Sequence, residues 1–149
     1  MMDVSVIVSE GIRDFSPLDN GNLRTFAVNV LKSRGVRECE INIVFIGDSD
    51  MTSLNEKYKR RKGSTDVLSF KLSDVNSENI EGEVYISLDR AREQAVNYNV
   101  LYEEEIVRLV THGLLHLTGR KHDSKEAYET MVKDTDTLVD NYFKSGDIQ

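Results

Sequence analysis

All three histidines of this 149-residue chain lie in one segment, His112-Gly113-Leu114-Leu115-His116-Leu117-Thr118-Gly119-Arg120-Lys121-His122. On a helix, His112 and His116 stand at i and i+4, one above the other on the same face, so their imidazoles can converge on one ion. A continuing helix would carry His122 away from that pair. Gly119 can take positive φ, end the helix and turn the chain back, which brings His122 in as a third ligand. Three neutral nitrogen ligands leave a divalent ion its full charge and an open fourth position. That is the pattern of a catalytic zinc site, whereas structural sites are normally closed by four protein ligands. One zinc ion per chain is the first expectation from imidazole ligation, although nickel, copper and iron also suit it. Such an ion lowers the pKa of water and polarises a carbonyl or phosphoryl oxygen.

The spacing resembles the zinc-binding motif of metzincin proteases, HExxHxxGxxH, in which the Glu beside the first His is the general base. Here that slot holds Gly113, which has no side chain to take a proton. Amide hydrolysis by that route is disfavoured, while the zincin-like ligand geometry is kept.

The chain carries 19 Lys and Arg against 26 Asp and Glu, a net charge of −7, which argues against a protein that coats nucleic acid. Lys57-Tyr58-Lys59-Arg60-Arg61-Lys62 concentrates five basic residues, leaving 14 basic against 26 acidic groups elsewhere, a net −12. A basic spot on an acidic body suits one localised anion contact, and a solvated surface loop is the plainer reading of the same run. Tyr58 stands at helical spacing from Leu54 and reads as core rather than as a base-stacking platform. Ser69 reads as a structural strand residue. Asp66 and Asp123 are the carboxylates closest to the motifs, Asp123 doubling as a helix N-cap. Glu105 lies two turns before the histidines and reads as a surface acid favoured by the helix dipole. None of the three is singled out as a general base.

These groups need a scaffold, and the hydrophobic pattern supplies it. Alternation from Val4 to Ser9, Cys39 to Ile46, Asp66 to Phe70 and Val84 to Leu88 predicts four strands, the second of them central. Leu23, Phe26, Ala27, Val30 and Leu31 form one helical stripe after Asp19 or Asn20, closed by Gly35. Ser49 or Asp50 caps a short helix with Met51 and Leu54, and Asp89 to Tyr98 reads as another. Glu103-Glu104-Glu105 opens the helix of the histidines, with Ile106, Leu109, Val110, Gly113 and Leu117 as its apolar face. Asp123-Ser124-Lys125-Glu126 is a capping-box pattern before Tyr128, Met131, Thr135, Leu138 and Tyr142. Ser73 to Glu81 reads as a polar loop. The expectation is an α/β (α+β) domain over 1–149, with a small mixed sheet of four strands packed by five helices. One cysteine, Cys39, suits a reducing cytosol, and neither a secretory signal nor a membrane-spanning run is visible.

Three segments in order also match a known family. The histidine segment closely resembles the HGxLHLxGYDH signature of the YbeY endoribonucleases, the bacterial rRNA maturation factors. Leu54 to Phe70 resembles that family's LNxxYRxxxxPTDVLSF stretch, Gly82-Glu83-Val84-Tyr85-Ile86-Ser87 its GDIxIS strand, and Met131 falls where the family tends to place one. The likeness runs from about Ile41 to Leu138. It implies a metal-dependent, single-strand-specific endoribonuclease acting at the 3′ end of small-subunit rRNA and in ribosome quality control. Its partners would be single-stranded rRNA and the ribosome, ribosomal proteins or assembly factors, in the cytoplasm and away from membranes.

Carried over by position, His112, His116 and His122 are the metal ligands, and Lys59 takes the place of a functionally important Arg. Lys59 and His116 are the expected catalytic residues, with Lys59, Arg60, Arg61 and Lys62 on the RNA backbone. Lys supplies charge without the bidentate fork of Arg, so a looser phosphate contact is expected. Ser64 replaces the usual Pro, and Arg120-Lys121 replaces the usual Tyr-Asp before the third histidine. Two other classes stand beside this reading: a metallohydrolase of amides or esters, and a non-catalytic, metal-stabilised ribosome-assembly module.

Overall fold

The structure is a computed structural model and describes residues 1–10, 12, 18–73, 78–119 and 124–144. Strand β1 (Met2–Val8) leads through helix α1 (Asn20–Ser33) to β2 (Glu38–Ile46) and α2 (Asp48–Tyr58). β3 (Val67–Lys71), β4 (Asn79–Ser87), α3 (Leu88–Tyr98), α4 (Tyr102–Leu117) and α5 (Lys125–Lys144) follow. The described residues therefore carry the expected four strands and five helices of an α/β fold. The sheet order is β1-β2-β4-β3, parallel throughout except for the β3–β4 pair.

β2 is central as its apolar run predicts. Its Cys39, Ile41, Ile43 and Phe45 bury one face into the main core, and Ile46 turns to the other. Leu23, Ala27, Val30 and Leu31 of α1 and Ile106, Val110 and Leu114 of α4 cover the first face. Met51 of α2 meets Ile46 and Leu68 on the second. Each such fully buried aliphatic side chain contributes roughly 1.5–3 kcal/mol.

α4 is the spine of the molecule. It packs on β3 and β4, on α1 and α3, and on α5, which lays Val139 and Tyr142 against Val107. A helix enclosed from both sides must be apolar over most of its circumference. Ile106, Val107, Leu109, Val110, Leu114, Leu115 and Leu117 are accordingly all buried.

Three local expectations are corrected, and one helix gains a cap that the sequence reading did not name. β4 starts at Asn79, inside the stretch read as loop, because Ile80, Gly82 and Val84 already pair with Cys39, Ile41 and Ile43. α2 starts from Gly47 rather than Ser49 or Asp50. α3 is capped by Ser87, whose Oγ accepts from the Arg90 N–H at 3.2 Å. At α5 the capping oxygen belongs to Ser124, which accepts from the Ala127 N–H at 3.0 Å. Asp123 lies outside the described residues. Among the described residues no helix is long and apolar enough to cross a membrane.

Candidate functional site

The last two turns of α4 carry His112 and His116, both half-buried. Their rings lie 4.7 Å apart and their Nε2 atoms 3.0 Å apart. At that distance one ring nitrogen can donate its N–H to the other, the direction depending on the tautomers. Two nitrogens held about 2.0–2.1 Å from one tetrahedral ion stand about 3.3 Å apart, so the pair has the span of two ligands of a shared zinc. Two of the three expected donors thus stand at a spacing compatible with one ion. Gly119 adopts φ +93 and donates its N–H to the His116 carbonyl at 3.0 Å, ending the helix as the motif predicts. His122, with Arg120 and Lys121, lies outside the described residues. Among the described residues, no group of three or more His, Cys, Asp or Glu converges as a metal site.

Gly113 has a structural reason as well as a chemical consequence. A Cβ there would fall 2.4 Å from Val84 Cγ1 and 3.2 Å from both Ser69 Oγ and Val67 Cγ2. The glycine lets α4 press onto β3 and β4, and Ser69 Oγ donates to the Gly113 carbonyl at 2.9 Å. A glutamate at this position, the protease base, has no space.

The basic run forms the other wall. Asn55, buried in α2, donates from Nδ2 to the Gly63 carbonyl at 2.9 Å, and its own carbonyl accepts from the Lys59 and Arg61 N–H groups. This folds the run into a tight loop in which Arg60 takes φ 55. Lys59 ends α2 with its Nζ 5.0 Å from the centroid of the Phe70 ring, a cation–π contact. A cleft of about 300 Å³ is lined by Lys59, Arg61, Ser69, Lys71, His112 and His116. The structure thus brings Lys59 and Arg61 to the histidines and adds Lys71, which sequence reading missed. Arg60 and Lys62 are exposed and do not line this cleft. Lys71 could have been found from strand alternation, two residues beyond Ser69 on the same face of β3. Ser64 ties the loop back by donating its hydroxyl to Asp48.

Two single-residue expectations are overturned. Tyr58 is 56% exposed, resting edge-on against Phe70 with centroids 5.7 Å apart, because α2 ends there instead of continuing under the sheet. Glu105 is not a surface acid: it is 1% exposed, with Oε1 3.5 Å from Arg108 Nε. Burial pushes its carboxyl up to about 7, against the lowering effect of Arg108 and with Asp66 and Glu104 raising it further. Asp66 is a fastened group whose Oδ1 accepts from the Val67 N–H at 2.8 Å and whose Oδ2 accepts from Gln94 Nε2 at 3.2 Å. Both carboxylates line a second cavity, of about 460 Å³, which shares His112 with the basic cleft.

The sequence profile of the family described as Endoribonuclease YbeY matches residues 14–143. The chain belongs to the YbeY endoribonuclease family. Relatives described as Endoribonuclease YbeY include one from Bacillus subtilis, 34% identical over 132 residues, which covers 81% of this chain and 82% of the relative. Another, from Treponema denticola, is 31% identical over 147 residues and covers 95% of each. One from Endomicrobium trichonymphae is 40% identical over 97 residues, 65% of this chain and 67% of the relative. The fold is shared with the solution structure of TM1509 from Thermotoga maritima, at a TM-score of 0.64 and 24% identity over 98% of this chain and 95% of that one. YbeY membership makes this chain an endoribonuclease, a hydrolase whose substrate is RNA.

Proposed function

We propose that the chain, acting as one domain over residues 1–149, is a metal-dependent, single-strand-specific endoribonuclease. It trims the 3′ end of small-subunit rRNA and takes part in ribosome quality control in the cytoplasm. The observation that carries this reading is the cleft in which the paired histidines of α4 face Lys59, Arg61 and Lys71. Imidazoles for an ion and ammonium and guanidinium groups for an adjacent anion are the two halves of a phosphodiester site.

In this reading His112, His116 and His122 hold one zinc or a similar divalent ion. Such an ion supplies Lewis acidity toward a phosphoryl oxygen and lowers the pKa of water. Lys59 and Arg61 hold the phosphate against the histidines, and Lys71 extends the same wall along β3. His116 lies closest to the helix end and fixes the reacting group relative to Lys59. Arg60 and Lys62, exposed beside the cleft, draw the RNA backbone in by charge and carry no sequence information. An acidic body with one basic spot leaves surface for ribosomal proteins or assembly factors. Protease chemistry is disfavoured by the sealed position of Gly113.

The test is cleavage of one RNA sequence presented single-stranded and as a duplex, before and after chelation and after zinc is returned. Cutting of the single strand alone, lost on chelation and restored by metal, is expected. Equal cutting of the duplex, or cutting unaffected by chelation, would overturn the reading.

A further inference from the structure

The cavity on the far side of His112 opens between α3, α4 and α5, and its chemistry is opposite to that of the basic cleft. Its polar wall is Asp66, Gln94, Glu105 and Thr135, and its rim carries Tyr98 and Tyr128, 62% and 51% exposed. Thr135 Oγ1, in a residue 3% exposed, makes no hydrogen bond among the described residues, and Glu105 Oε1, in a residue 1% exposed, makes none beyond its ion-pair contact with Arg108 Nε at 3.5 Å. A buried polar atom left so costs roughly 1–3 kcal/mol, and a ligand that meets it recovers that cost. At about 460 Å³ the cavity is in the size range of small-molecule sites.

The carboxylates repel a phosphate and call for a ligand with N–H donors, while exposed tyrosines at a rim suit a flat ring. Arg108, which pairs with Glu105 and Asp136, offsets part of the negative charge without filling the space. His112 lines both spaces, so the cavity adjoins the cleft in which a phosphate would lie against Lys59 and Arg61. We infer that this cavity is the base subsite for a nucleotide flanking the scissile phosphate, and that Glu105 selects bases bearing an exocyclic amino group over uracil. Carboxylates accept from the N4 amino group of cytosine in the same way where proteins read base edges. The inference rests on the ribonuclease reading above and adds its specificity.

The experiment has two readouts on wild type, Glu105→Gln and Thr135→Val. One is calorimetric titration at about pH 8.5, where the Glu105 carboxyl is ionised and only accepts, with cytidine 5′-monophosphate and uridine 5′-monophosphate. The other is mapping of cuts in single-stranded RNA with C or U at each position flanking the cut. Wild type is expected to bind the cytidine nucleotide roughly tenfold more tightly and to cut beside C in preference to U. Glu105→Gln, whose amide both donates and accepts, should admit uracil and bring both ratios toward one. Thr135→Val keeps the shape without the hydroxyl and should weaken cytidine binding severalfold, which keeps the test decisive if the first variant folds poorly. Equal binding with cutting indifferent to the base would overturn the subsite and leave the ribonuclease reading intact, as would a preference unchanged in both variants. Nucleotide selection without RNA cleavage would sustain a base-selective cavity but overturn the ribonuclease reading and, with it, the cavity's assignment as a subsite flanking a scissile phosphate. Neither binding nor cleavage would overturn both.

Discussion

Gly113 approaches Val84 so closely that a Cβ on the glycine would lie 2.4 Å from Val84 Cγ1. The histidines on either side of Gly113's turn are set over the sheet by this contact, since α4 cannot be lifted away without separating them from the basic cleft. Alanine is favoured over glycine within a helix by about 1 kcal/mol, yet overpacking of this kind costs roughly 1–3 kcal/mol. Gly113→Ala is therefore expected to lower stability by about 1 kcal/mol in chemical denaturation, and Gly113→Glu by more, with no peptidase activity gained. A stabilised Gly113→Ala would show that the helix is free to shift.

The buried position of Glu105 has a pH signature. Its carboxyl is raised in the folded protein from 4.5 to about 7, by burial first, so the folded state holds this proton more tightly than the unfolded chain does. The resulting contribution is complete below about 4.5 and is lost as pH rises to about 7. Its upper bound is roughly 3 kcal/mol, from the size of the shift. Glu105 shares its cavity with Asp66, Arg108, Asp136 and His112, so the comparison must be with Glu105→Gln at each pH rather than across pH alone. The variant should match wild type near pH 5 and exceed it near pH 8 in denaturant midpoint. Parallel curves would contradict this.

The basic cleft makes a salt prediction. Each lysine or arginine that contacts a phosphate of single-stranded RNA contributes about 0.7 to the slope of log affinity against log salt. Lys59→Ala and Lys71→Ala should each lower that slope by about this amount and weaken binding to all sequences alike. Lys62→Ala, outside the cleft, should change it less. Binding measured between low and moderate salt decides the matter, and an unchanged slope for Lys71→Ala would remove it from the RNA path.

Much of this was legible in the sequence because local signals agreed with the fold. The histidine spacing, the positive φ of Gly119 and the apolar stripes of α1 and α4 are all short-range features. What was missed depends on contacts far along the chain. Asn79, Glu81 and Glu83 make the start of β4 look like a loop, and Gly82 hides the alternation; only pairing with β2 makes it a strand. Glu105 sits in the first turn of α4, where an acid is normally solvated, but Arg108 and the cavity wall from α5 enclose it. Tyr58 follows the helical period of Leu54, and nothing local shows that α2 stops before that period could bury it.

The decisive measurement pairs metal content with cleavage of a single-stranded rRNA oligonucleotide, for wild type and for His116→Ala purified identically and shown to be folded. Wild type is expected to carry about one divalent ion per chain and to cut, and His116→Ala to lose both. A folded His116→Ala that cuts at the wild-type rate, or a wild type that holds its metal and leaves the RNA intact, would contradict a metal-dependent ribonuclease built on the histidines of α4.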